Sequence, residues 1–150
     1  MRITTYQTRL NDERIVSLVK EKSSNYPEIG TIDSPESCAR MIETVFDASN
    51  LAEERLWLIA LNRGRKVSGV FEVSHGTLTA SLVHPREIFS RAMLASAASI
   101  ILAHNHPSGG LTISDNDRTV SRTIKQAGEL LGIMLDDHLV LADGNYASAM

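Results

Sequence analysis

From residue 33 onward, helix-spaced and strand-like apolar stretches alternate along the chain. Ala39, Ile42, Val45 and Phe46 recur at spacings of three and four behind Asp33, Ser34 and Pro35, which supply a capping side chain and a first-turn proline. This predicts an amphipathic helix to about Ser49, lying on a sheet. Arg55 to Leu61 is a short apolar run closed by the turn signal Asn62-Arg63-Gly64-Arg65, hence a buried strand, with Lys66 to His75 as its antiparallel return. Gly76-Thr77 breaks that return, and Leu78 to Val83 reads as a further strand. His84-Pro85 then opens a helix whose apolar face is Ile88, Phe89, Ala92, Met93 and Ala97. Ser99 to Ala103 is a buried strand that leads straight into His104. Ser114 begins a helix to about Leu131 that Gly132 ends, and Ile133 to Leu141 is a last strand before an Asp143-Gly144-Asn145 turn. Residues 1–30 are more polar, with a short strand at the start and a helix-like patch from Glu13 to Lys20. They read as an N-terminal extension to a domain of residues 31–150. The order predicts an α/β fold, a mixed sheet flanked by helices, with its site at the end of a central strand.

Composition narrows the class. A chain of 150 residues buries about two-thirds of its unfolded surface as one domain. No stretch has the uninterrupted apolar length that a bilayer requires, and the first residues lack the apolar core of a secretory signal, so a cytoplasmic, membrane-free protein is expected. Cys38 is the single cysteine, which excludes an internal disulfide and leaves histidine and carboxylate as the materials for any metal site. A net charge of −3 gives no broad attraction to nucleic acid. Arg63 to Lys66 and Arg118 to Lys125 read as a solvated turn and a solvated helix face.

The chemistry concentrates after the Ser99 to Ala103 run. His104 and His106 are separated by one residue, so in extended backbone both imidazoles point to one side and form a two-pronged clamp. Pro107 ends regular pairing, and Gly109-Gly110 permits positive φ, letting the chain turn away and return with Asp117. Two histidines and a carboxylate leave a tetrahedral zinc with an open position, the pattern of a catalytic centre. Ser114 and Asp117 also have the spacing of a capping box at a helix start. If Asp117 ligates metal, the oxygen it uses is lost to the cap, and Asp115 or Ser114 must cap instead.

A metal-activated water needs a general base, for which Glu53, Glu54 and Glu72 are the candidates. Glu54, at the entrance to the Arg55–Leu61 strand, is the best placed. His84 and His138 read as supporting groups or polar residues at the end of the sheet, and His75 as a turn. Trp57 and Met93 read as core. Ser108 lacks an acid-base pair that metal binding would leave free.

His104-Asn105-His106-Pro107-Ser108-Gly109, with Ser114 and Asp117 following, resembles the JAMM motif of the JAB/MPN metalloprotease superfamily, and the string as a whole looks like its bacterial RadC branch. The resemblance covers residues 33 to 148 and includes Val83 to Phe89, Ile101 to Ala103 and Asp137 to Val140. It implies a cytidine-deaminase-like MPN fold with a mostly antiparallel mixed sheet. It implies Zn²⁺ on His104, His106 and Asp117, with water completing the tetrahedron. Glu54 matches the proton-transferring glutamate, and Ser114 the serine that stabilises the oxyanion. The reaction implied is hydrolysis of a peptide or isopeptide-like amide in a peptide or protein substrate. Gly110-Leu111-Thr112-Ile113 departs from the Asp-Pro-x-Pro usual in that branch, and residues 1–30 do not resemble its helix-hairpin-helix region. A DNA-associated role in repair or mobile-element biology and a catalytically silent binding module are the alternatives.

Overall fold

A computed structural model describes residues 1–76 and 83–150 of the chain. Its strands are β1 (Arg2–Leu10), β2 (Val16–Asn25), β3 (Arg55–Leu61), β4 (Val67–His75), β5 (Ser99–Asn105), β6 (Met134–Ala142) and β7 (Asn145–Ser148). Its α-helices are α1 (Pro35–Phe46), α2 (Pro85–Leu94) and α3 (Asp115–Leu131). The strands form one sheet in the order β2-β1-β4-β3-β5-β6-β7. Pairing is antiparallel except at β1/β4 and β5/β6, so the expected mixed, mostly antiparallel sheet is present. The strand expected over residues 78–83 lies, apart from Val83, outside the described residues.

Alternation along the strands divides the core into two layers. Trp57, Ile59 and Leu61 of β3 and Ile101 and Ala103 of β5 pack with Cys38, Met41 and Ile42 of α1. Leu56, Leu58 and Ala60, with Ile100 and Leu102, pack on the other side against Ile88 and Phe89 of α2 and Val120 and Ile124 of α3. Burial pushes the Cys38 thiol up to about 12, so it stays protonated inside the α1 layer.

Local chemistry explains most boundaries. Ser34 accepts from Ser37 N, Pro35 occupies the first turn, and Asp47 in the left-handed region ends α1 before the short 3₁₀ turn Ala48–Asn50. His84 Nδ1 accepts the Arg86 N–H as the cap of α2. Gly132, at φ 71°, ends α3 as anticipated. Asp143 and Gly144 both have positive φ, the requirement of a two-residue hairpin, and they fold β7 back on β6.

Three expectations are corrected. The helix-like patch at Glu13–Lys20 is instead a turn followed by β2. Asn11 Oδ1 accepts the N–H groups of Glu13 and Ile15, and Arg14 takes positive φ, closing a hairpin before Val16. Ile15, Val16, Leu18 and Val19 do have helical spacing, but pairing with β1 wins, packing a partly buried Leu18 against the α2/α3 layer and leaving Val16 and Val19 exposed at an edge. Met93 is 50% exposed rather than core, because it sits ~100° around the helix beyond buried Ala92. Residues beyond Ala142 add the strand β7 to the expected turn.

Gly128 allows α3 to lie close against α2 and against its own chain as it turns toward β6. A methyl group there would meet the Ile133 carbonyl oxygen at 2.4 Å and Phe89 Cζ at 3.2 Å. Gly128→Ala is expected to destabilise the protein by about 1–3 kcal/mol in urea denaturation. Unchanged stability would show that α3 is not held this tightly.

Candidate metal centre

Period-two alternation carries the site to one face. Leu56 and Leu58 of β3 and Ile100 and Leu102 of β5 face α2 and α3, so Glu54, two residues before Leu56, and His104, two after Leu102, lie on that same face. Leu56 pairs with His104 across β3 and β5, and His104 pairs with Val140 across β5 and β6. From above the sheet, Asp117 and Ser121 continue the buried stripe of α3 formed by Val120, Ile124 and Gly128. Asp117 thereby reaches the sheet at the first turn of its helix.

The two histidines converge as expected. His104 is fully buried at the end of β5, while His106 follows the strand, its N–H donating to the Leu141 carbonyl at 2.8 Å. Their Nε2 atoms are 3.1 Å apart. His106 Nδ1 lies 2.9 Å from the Gly110 carbonyl, to which it donates, so the imidazole's neutral form would present a bare Nε2 toward His104. The loop that delivers Gly110 turns at Gly109, whose φ of 82° fits its role as the hinge after Pro107.

Asp117 divides its carboxylate between two tasks. Its Oδ2 accepts from Ser114 N at 2.8 Å and Ser114 Oγ at 2.7 Å, while Ser114 Oγ accepts the Asp117 N–H, completing a capping box. Its Oδ1 stands 3.2 Å from His104 Nε2. Capping and contact with His104 therefore coexist on different oxygens, and the expected competition between them does not arise. Burial works to raise the Asp117 carboxyl, but hydrogen bonds from His104 and from the Ser114 side chain and backbone outweigh it. The group is held well below the usual carboxylate range and is ionised.

Of the three glutamate candidates, only Glu54 joins the pair. Its Oε1 lies 4.0 Å from His104 Nε2, and Glu54, His104 and His106 each offer a ligand atom within 4.8 Å of the other two. Glu53 pairs with His75, and Glu72 with Arg55 and His75, on exposed surface. His75 ends β4, His84 caps α2, and exposed Ser108 lies in the loop after His106. Trp57 is buried in the α1 layer, as expected. His138 comes to the centre: its Nε2 is 2.9 Å from His104 Nδ1 and its Nδ1 is 2.8 Å from Ser121 Oγ. Burial first, then the neighbouring His104 imidazole, holds His138 down to about 3, so it is neutral.

Sequence reasoning missed Asn105 and Ser121. Asn105 lies between the histidines and so points to the opposite face, where it is buried. Its Oδ1 accepts the Arg55 N–H at 2.8 Å and its Nδ2 donates to the Glu53 carbonyl at 3.1 Å. One side chain thus grips the backbone on both sides of Glu54. The available signal was the alternation itself, since a polar residue between two inward histidines had to find partners on the far face. Ser121 carried a weaker signal, as a serine four residues after Asp117 on a helix otherwise apolar on that face.

The fold and site define an α/β domain with a cluster of two histidines and carboxylates, able to hold a metal, at the end of its central strands. Residues 32–150 match the RadC-like JAB domain, and the chain belongs to that family. It is 51% identical over 100 residues to a UPF0758 protein of Symbiobacterium thermophilum, an alignment covering 67% of this chain and 43% of the relative. A UPF0758 protein of Clostridium kluyveri is 44% identical over 117 residues, covering 78% of this chain and 50% of the relative. One from Moorella thermoacetica is 47% identical over 98 residues, covering 65% and 43%. The chain spans about half the length of the curated relatives it matches. No helix among the described residues is long and apolar enough to cross a membrane.

Asn105→Ala is expected to remove the part-buried bonds to the Arg55 N–H and the Glu53 carbonyl, at a cost of about 0.5–1.5 kcal/mol each in urea denaturation. A variant as stable as wild type would remove Asn105 as the clamp on Glu54.

Proposed function

We propose that this domain is a zinc-dependent hydrolase of a peptide or isopeptide-like amide in a protein substrate. The observation that carries the reading is the cluster of Glu54, His104 and His106 above the sheet, which Asp117 joins through its contact with His104. The spacings suit zinc. With bonds of 2.0–2.1 Å, a tetrahedral ion separates its ligand atoms by about 3.3 Å. His104 lies 3.1 Å from His106 and 3.2 Å from Asp117, close to such edges. Glu54 at 4.0 Å stands outside that spacing, as suits a group that acts on a bound water and does not hold the ion. His104, His106 and Asp117 are therefore the proposed ligands, with Glu54 as acid-base group. Zinc held there would lower the pKa of a bound water to about 7 and polarise an amide carbonyl.

The remaining work belongs to the chain. Glu54 accepts the proton of the attacking water and hands it to the departing amine nitrogen, so that amide and water become acid and amine. Asn105, by holding the backbone of residues 53 and 55, keeps that carboxylate aimed. Ser114 supports the oxyanion by exchanging its 2.7 Å bond to Asp117 for one to the substrate oxygen. Asp117 Oδ2 keeps the Ser114 backbone N–H through that exchange and stays in place.

Membership of the RadC-like JAB domain family supports the reading, since the wider JAB superfamily includes metallohydrolases. Glu54→Gln is expected to lower hydrolysis of a panel of fluorogenic peptide and isopeptide substrates by about 10²–10⁴-fold while leaving zinc content unchanged. Activity near wild type would remove Glu54 from the mechanism. Wild-type protein that fails to take up zinc would remove the mechanism altogether.

A second reading, contact with nucleic acid, has one observation in its favour. Arg118, Arg122 and Lys125 line a single cavity on α3, and none of them forms an ion pair among the described residues. Duplex DNA binding that weakens steeply with salt and is lost on replacing all three by glutamine would support it. DNA binding indifferent to those replacements would refute it.

A further inference from the structure

Four buried groups form a closed ring, of which the proposed hydrolysis uses His104 and Asp117 and leaves His138 and Ser121 without a role. His104 faces Asp117 Oδ1 with Nε2 at 3.2 Å and His138 Nε2 with Nδ1 at 2.9 Å. His138 Nδ1 meets Ser121 Oγ at 2.8 Å, and Ser121 Oγ lies 3.0 Å from the backbone carbonyl of Asp117. His104 and His138 are fully buried, and Asp117 and Ser121 nearly so, which makes an unfilled hydrogen bond costly at any point of the ring.

A neutral imidazole carries one N–H and one bare nitrogen, and a serine carries one O–H, so the ring can be filled in two orders. In the first, His104 Nε2–H donates to Asp117, His138 Nε2–H donates to His104, and the Ser121 hydroxyl donates to His138. In the second, His104 donates through Nδ1 to His138, and His138 donates through Nδ1 to Ser121. The Ser121 hydroxyl then turns to the Asp117 carbonyl, already within reach. The first order gives every side chain of the ring its partner without a metal, whereas the second leaves His104 Nε2 and Asp117 Oδ1 facing each other as two acceptors and is complete only with a cation between them. Only the second leaves His104 Nε2 bare, as a metal-ligating nitrogen must be.

We propose that His138 and Ser121 are positioning residues that set the tautomer of His104, with the Ser121 hydroxyl as the switch between the two orders. The inference rests on the reading of His104 as a metal ligand. A ligating histidine ordinarily gives its far N–H to a carboxylate, a carbonyl or a water. Here the acceptor is a second histidine, which can accept at Nε2 only if its own proton has a place at Nδ1. Ser121 is that place. It sits one helical turn after Asp117, so α3 delivers one ligand and also completes the support of another.

The test uses the full chain with zinc chloride as the probe. In zinc-loaded, ¹⁵N-labelled wild-type protein, long-range ¹H–¹⁵N correlation should show His138 protonated at Nδ1. Protonation at Nε2 overturns the proposal without any variant, and this measurement decides the matter if variants do not fold. Ser121→Ala and His138→Leu should each weaken zinc binding about 10–100-fold in chelator competition. His138→Gln, whose side-chain carbonyl can accept from His104 Nδ1, should recover most of that affinity. Wild-type affinity in Ser121→Ala, or affinity in His138→Gln as poor as in His138→Leu, overturns the relay. Wild-type protein that takes up no zinc overturns the metal reading beneath it, a result distinct from loss of the relay alone.

Discussion

Antiparallel pairing of β3 with β5 places Leu56 opposite His104, and the geometry of the site depends on that register. Strand side chains alternate between faces, so slipping either strand by one residue would send its whole inward set to the opposite layer. His104 would then enter the apolar layer that α1 covers, and Glu54 would leave its neighbourhood. The two layers make such slips expensive. Trp57, Ile59 and Leu61 fit against α1, and Leu56, Leu58 and Ala60 fit against α2 and α3, so no single residue has to hold the register. Asn105 adds a local lock by bonding residues 53 and 55 from β5.

Helix α3 completes the centre because its buried stripe changes chemistry along its length. Ile124 and Val120 pack on apolar side chains of the sheet, and the same stripe continues as Ser121 and Asp117 where β5 presents His104. Polar groups can be buried there because they satisfy one another, and a network of this kind loses much of its benefit if one member is left unpaired. Gly128 lets the far end of the helix lie close to Ile133 and Phe89, on the same buried stripe that ends at Asp117. The apolar core and the polar cluster are thus two ends of one interface.

The helices and the central strands were legible because each carries its own punctuation. Ser34-Pro35, His84-Pro85 and Ser114 start helices, Gly132 ends one, and Asn62 to Arg65 turns a hairpin. The histidine pair was legible for the same reason, since one intervening residue in extended backbone has only one geometric outcome. What escaped depends on long-range pairing. Val16 and Val19 have helical spacing with Ile15 and Leu18, and only the presence of β1 beside them makes a strand. Ser121 and Asn105 look ordinary in the sequence. Their roles come from partners 17 and 50 to 52 residues away, which local pattern does not encode.

Asp117 shows why two readings of one motif need not compete. As a cap it must turn back toward Ser114, and as part of the cluster it must point at His104, demands that conflict only if a carboxylate is treated as a single acceptor. It has two oxygens about 2.2 Å apart, each with its own lone pairs, and the capping box occupies only one of them. The cap also fixes the side-chain rotamer, so the second oxygen is held toward His104 with less freedom left to lose when it acts. An uncapped aspartate at this position would have to be ordered by its contact with His104 alone. The same serine and aspartate that begin the helix therefore pre-organise the centre, and their spacing serves fold and site through one set of hydrogen bonds.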